Sequence, residues 1–178
     1  MTQRLTSSLE KDEKGLTEEE FLLRYNPDKY PKPSVTADIL VFCRDELLLI
    51  RRKNHPFIHC WALPGGFANK NEDLYDTACR ELQEETSLQK SDLTLVGVFS
   101  KPGRDPRGWT VSAAYMSELS PEEKTQVRAA DDAEEAGWFR CRISNGLLEV
   151  TGAADGQPVR LAFDHADIIS EALRKRNR

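Results

Sequence analysis

Residues 63–88 read LPGGFANKNEDLYDTACRELQEETSL, and the rest of the chain is arranged about them. The stretch opens on a Pro-Gly-Gly turn, crosses a polar loop and enters a helical pattern over about residues 73–87. Leu74, Ala78 and Leu82 recur at spacing four and predict the buried stripe, with Tyr75 and Cys79 flanking it. Glu81, Glu84 and Glu85 form the adjoining stripe, with Glu72 upstream. Carboxylates three and four positions apart share one helix face, and like charges packed that closely repel. A divalent cation resolves the repulsion, and an all-oxygen ligand set suits Mg²⁺ or Mn²⁺ rather than zinc. Arg80 precedes Glu84 by four residues and can brace it. Gly65 and Gly66 permit positive φ and a close approach of backbone to ligand. The competing reading is an ordinary acidic helix face turned to solvent.

Upstream, residues 35–43 (VTADILVFC) and 47–51 (LLLIR) are strand-like, and Arg44, Asp45 and Glu46 between them make a tight turn, so the two form a β-hairpin. Arg51, Arg52 and Lys53 leave the hairpin together, either as a solvated strand end or with one of them meeting an anionic substrate. His55, His59 and Cys60 lie close together, but Pro56 and the lack of a second ligand pair argue against zinc. Further upstream, Thr17 and Glu20 spell a capping box for a short helix over about 17–25. Residues 26–34 (NPDKYPKPS) read as an extended connector. The chain therefore divides into a polar N-terminal segment with a short helix and Pro-rich connector (1–34) and a folded domain (35–178).

Downstream, residues 93–101 and 110–119 are strands, with a bulge expected at Gly97. The loop PGRDPRGW (102–109) between them carries Arg104 and Arg107 on a frame of Pro and Gly. It is either a bare surface turn or a holder for phosphate and ribose oxygens in forked geometry. Residues 120–135 read as an acidic loop, a strand follows from 136, and Asp155-Gly156 marks a hairpin within 147–163. Residues 162–176 (AFDHADIISEALRKR) form an amphipathic helix, with His165 read as a satisfied helix-start histidine. This order of hairpins and helices predicts an α+β or α/β/α sandwich with a mixed sheet.

A chain of 178 residues can bury a proper core. Its net charge of −5 argues against duplex nucleic acid as a partner. No apolar run reaches membrane length and the N-terminus lacks an apolar signal core. The four scattered cysteines read as reduced thiols in a cytoplasmic protein.

Gly66, five residues, Glu72, seven residues, then Arg80-Glu81-Leu82-x-Glu84-Glu85 resembles the Nudix box. Ser87 departs from it, standing where the family has the glycine that ends the helix at positive φ, at a cost of about 1 kcal/mol. The hairpin, WALPGG, PGRDPRGW, Trp138-Phe139 and AFDHADII extend the resemblance to one branch. That branch holds ADP-ribose pyrophosphatases, the Nudix halves of bifunctional NAD-synthesis proteins, and ligand-binding domains of NAD-related transcription regulators. The resemblance implies a Nudix fold whose box forms a loop-helix-loop. It also implies Mg²⁺-dependent hydrolysis of the pyrophosphate bond of a nucleoside diphosphate derivative, foremost ADP-ribose to AMP and ribose 5-phosphate. In the implied site Glu81, Glu84, Glu85 and the Gly66 carbonyl hold Mg²⁺ or Mn²⁺, and Arg80 positions the carboxylates. Arg51, Arg104 and Arg107 are the candidates for substrate, and the general base is Glu85 or an acid within 131–135. A homodimer is an expected assembly. Two alternatives stay open: a non-catalytic ADP-ribose-type sensor domain, and a Nudix enzyme acting on oxidised nucleoside triphosphates.

Overall fold

Strand β1 (Ser34–Cys43) is buried on both faces, which requires cover on both sides of the sheet. Ala37, Ile39, Val41 and Cys43 belong to one core, Leu40 and Phe42 to another. The computed structural model describes residues 10–125, 127 and 133–176. It comprises two compact units, Met1–Lys32 and Pro33–Arg178. In the first, α1 (Glu18–Arg24) begins at the Thr17 capping box, with both reciprocal bonds to Glu20 made.

In the second unit β1 turns through Arg44, at φ 56°, into the antiparallel β2 (Glu46–Arg52). On its other side β1 runs parallel to β6 (Thr110–Glu118). With β5 (Thr94–Phe99), β7 (Ala133–Ser144) and β8 (Leu147–Gly152), the order is β5-β6-β1-β2-β7-β8. One parallel pair among antiparallel ones makes the sheet mixed, as the sequence predicts. Helix α2 (Leu74–Thr86) covers one face with Ala78 and Leu82. Full burial of a leucine such as Leu82 stabilises by about 2 kcal/mol. Helix α4 (His165–Arg176) covers the other face with Ile168, Ile169, Ala172 and Leu173. The result is the expected helix–sheet–helix sandwich.

Two short strands position the site. β3 (Trp61–Ala62) pairs with β2, and β4 (Gly65–Phe67) pairs with β1. Gly65-Gly66 is thus part of a strand as well as a turn. A Cβ at Gly65 would stand 2.3 Å from the Ala37 carbonyl oxygen, so only glycine lets β4 lie this close to β1. The bulge at Gly97 is present as a register shift between Leu95 and Gly97.

The C-terminal hairpin differs from expectation. β8 pairs with β7 across Asn145-Gly146, both at positive φ (51° and 79°), the combination a type I′ turn needs. Asp155-Gly156 does close a turn, with the Gly152 N–H on the Gln157 carbonyl at 2.9 Å and the Val159 N–H on the Val150 carbonyl at 3.2 Å, but its returning side makes one antiparallel bridge, Thr151 to Pro158, and no full strand. Residues 120–135 are not all loop: Pro121–Lys124 form α3, started by a Ser120–Glu123 capping box, and β7 begins at Ala133. Residues 126 and 128–132 lie outside the described residues.

Candidate active site

Asp73 caps α2 by accepting from the Tyr75 N–H at 2.8 Å, which starts the helix where the acidic face needs it. Arg80 is the hub of that face. Its Nε and Nη2 donate to the two oxygens of Glu72 at 2.8 and 2.9 Å. Its Nη1 donates to Glu81 Oε1 at 2.7 Å and to Glu84 Oε2 at 2.9 Å, and Nη2 also reaches the Phe67 carbonyl at 3.1 Å. Glu81 and Glu84 therefore converge on one nitrogen. The bond from Arg80, helped by the Asn69 N–H, pulls Glu72 down to about 2. Burial pushes Glu81 up, and the pull of Arg80 does not cancel it. Glu85 is buried and turns away, accepting from the Gly65 N–H at 2.8 Å.

The donor chemistry fits a hard divalent cation, since every candidate atom is a carboxylate or carbonyl oxygen. Gly66 supplies a second fit. A Cβ there would come within 2.4 Å of the Glu81 carboxylate, so the bare backbone is what lets Glu81 nestle against β4. Among the described residues no three His, Cys, Asp or Glu side chains already form a metal-holding group. Arg80 holds Glu81 Oε1 and Glu84 Oε2, and the Gly65 amide holds Glu85 Oε2. A carboxylate has two oxygens and several lone pairs, so these bonds orient the groups without barring them from a cation.

Gly65 and Gly66 also line a small cavity of about 90 Å³, together with Phe67, Arg52, Arg107 and Phe163. Arg107 is gripped by Asp105, with Nη2 to Oδ2 at 2.7 Å, and lies over the Phe67 ring at 4.7 Å and the Phe163 ring at 5.3 Å. Arg52 lies over the same Phe163 ring at 4.9 Å and donates to the Pro56 carbonyl at 2.8 Å. Burial, and then the neighbouring charge of Arg107, lower the affinity of Arg52 for its proton. Two guanidiniums on aromatic faces around one cavity favour an anion.

Of the predicted substrate arginines, the structure brings only Arg107 into the cavity with its guanidinium half-exposed. Arg104 sits in the floor, forked onto Asp164 at 2.8 and 2.7 Å and 3.6 Å from Asp38. Arg51 is not among the lining residues. Its Nη1 is 3.8 Å from Glu135 and its Nε donates to the His59 carbonyl. Successive residues of a strand point to opposite faces, so Arg52 joins Ile50 at the cavity and Arg51 does not. That alternation sets the two arginines on opposite faces, but residues 47–50 are apolar and buried on both faces, so which face meets the cavity is settled by the tertiary structure.

His165 is a satisfied helix-start residue, as expected. Its Nδ1 accepts from the Leu63 N–H at 2.8 Å, leaving Nε2 as the protonated nitrogen, 3.6 Å from Asp38 Oδ1. Burial lowers its pKa. Of the four acids within 131–135, Asp131, Asp132 and the side chain of Glu134 lie outside what the structure describes, and Glu135 faces Arg51.

Residues 32–154 match the family described as NUDIX domain. The ADP-ribose pyrophosphatase of Methanocaldococcus jannaschii is 38% identical over 148 residues, covering 83% of this chain and 78% of that protein. The ADPR responsive transcriptional repressor NtrR of Acinetobacter baylyi is 33% identical over 167 residues, covering 90% of this chain and 61% of the repressor. The NUDIX domain of Shewanella oneidensis NrtR, solved in a cocrystal with ADP ribose, aligns at a TM-score of 0.73 and 29% identity, covering 92% of this chain and 100% of that one. With the box residues gathered on α2 around Arg80 and two thirds of the chain matching, this protein belongs to the Nudix family.

Proposed function

We propose that this protein hydrolyses the pyrophosphate bond of a nucleoside diphosphate derivative, with ADP-ribose as substrate and AMP and ribose 5-phosphate as products. One observation carries the proposal: the acidic face of α2 and the Arg52–Arg107 cavity meet at the same two glycines. A diphosphate laid along β4 reaches carboxylates that suit a cation and guanidiniums that suit its own oxygens. The likeness to an ADP-ribose pyrophosphatase and to an ADP ribose-bound NUDIX domain supports the choice of substrate.

Glu81, Glu84, Glu85 and the Gly66 carbonyl would hold Mg²⁺ or Mn²⁺, which when bound neutralises phosphate charge and lowers the pKa of a bound water. The chain's own residues do the remainder. Arg80 keeps Glu81 and Glu84 on one side of the helix, and Arg52 and Arg107 bind and orient the diphosphate. Hydrolysis adds the hydroxyl of one water to one phosphorus, breaks its bond to the bridging oxygen and leaves the water's protons on the products or solvent. The proposed partner is this small diphosphate and not duplex nucleic acid, and the proposed setting is the cytoplasm, with a homodimer as the assembly. Among the described residues no helix is long and apolar enough to cross a membrane.

The test is incubation with ADP-ribose and Mg²⁺ or Mn²⁺, with AMP separated by chromatography. Release above a Glu84→Gln control is expected, and its absence overturns the proposal. The likeness to an ADPR responsive repressor favours a second reading, a ligand sensor without turnover. Tight ADP-ribose binding with no AMP released would select it. A substrate panel that includes oxidised nucleoside triphosphates separates the remaining alternative.

A further inference from the structure

The loop between β5 and β6 carries Arg107 into the cavity, and its hold on the rest of the fold is a buried ion network. Within the loop, Asp105 has a side chain only 4% exposed and grips Arg107. Arg104 points inward with its side chain 5% exposed and forks both oxygens of Asp164, a residue 60 positions later at the threshold of α4. The network continues inward. Asp38 of β1 stands 3.6 Å from the Arg104 guanidinium and accepts from the Ser112 hydroxyl of β6 at 2.5 Å. The residue after Asp164, His165, is fixed by the Leu63 N–H that precedes β4. Two strands, the lead into β4 and the start of α4 thus converge on one fork, and the loop hangs from it.

We infer that Asp164 is a positioning residue for substrate affinity: by forking Arg104 it fixes the loop that sets Arg107 over Phe67 and Phe163, without itself touching the substrate. The inference rests on the proposed hydrolysis of ADP-ribose. It also gives Arg104 a different role from the one its sequence suggests, since its Nε and Nη2 are both committed to Asp164. A two-pronged pair is needed for this, because a single contact leaves the loop free to swivel about it.

The experiment uses the full chain with Asp164→Asn, Arg104→Lys, Arg107→Ala and the double variant Asp164→Asn/Arg107→Ala. For Asp164→Asn, KM for ADP-ribose should rise about five- to tenfold with kcat within about twofold. The double variant should be no worse than Arg107→Ala alone, because both changes act through one guanidinium. Arg104→Lys keeps the charge but loses the fork, and should reproduce the KM effect if Asp164→Asn does not fold. Hydrogen exchange supplies a readout independent of turnover. The turn amides of Arg104 and Gly108, bonded to Lys101 and Asp105, should exchange about tenfold faster in Asp164→Asn, with α2 unchanged. Multiplicative KM effects in the double variant, unchanged loop exchange, or faster exchange throughout the sheet would each overturn the inference. If the wild-type protein releases no AMP, the proposed function fails, and the exchange measurement alone then decides whether Asp164 positions the loop.

Discussion

The Glu81 carboxylate lies where a side chain on Gly66 would be: a Cβ built there falls 2.4 Å from Glu81 Oε1. Gly66→Ala therefore has to move Glu81 or β4. Every clashing atom belongs to the end of the flexible Glu81 side chain, so the fold should lose no more than about 1 kcal/mol, while displacing a carboxylate of the acidic face should lower AMP release at least about tenfold. Thermal unfolding and turnover measured together check it, and a variant with normal activity would count against a working role for this contact.

Arg52 and Arg51 are neighbours with opposite prospects. Loss of a guanidinium that binds a phosphate oxygen removes a charge-assisted hydrogen bond, so Arg52→Ala should raise KM about tenfold or more. Arg51→Ala, on the other face of β2, should leave KM within about twofold. Steady-state kinetics on both variants decides, and the reverse ranking would return Arg51 to the substrate.

Ser87 ends α2 at φ 62°, ψ 8°, the left-handed conformation the family fills with glycine. Its N–H still bonds the Gln83 carbonyl at 2.9 Å, so the cap is made in spite of the side chain. Ser87→Gly should stabilise by about 0.5–1 kcal/mol and raise Tm by about 1–4 °C, with kcat unchanged. Calorimetry reads the shift, and no gain in Tm would mean that the serine is unstrained there.

Glu72 has a folded pKa of about 2 against an ordinary 4.5, held down first by Arg80. A depressed carboxylate contributes stability that is present above its unfolded pKa and lost as pH falls toward the folded value. Wild-type stability should therefore decline between pH 4.5 and about 2, and Glu72→Gln should flatten that part of the profile. Urea midpoints across this range are the measurement, and parallel profiles would remove Glu72 as the titrating group.

The acidic stripe of α2, its Asp73 start, its end at Ser87, the first hairpin and the Thr17 capping box were legible from the sequence alone. Each depends on residues within one turn or one hairpin of each other, where periodicity and cap chemistry act directly. The C-terminal hairpin was legible in principle at Asn145-Gly146, but the acidic run before it masked the start of β7. Tertiary structure decided the rest. It put Arg52 and not Arg51 at the cavity, tied Arg104 to Asp164 across 60 residues, and set Glu85 on the Gly65 amide. Those outcomes rest on which distant segments lie side by side, and a charged residue's role follows from the opposite charge it meets. A guanidinium beside a buried carboxylate anchors a loop, whereas one on an aromatic face at a cavity wall keeps donors for a ligand.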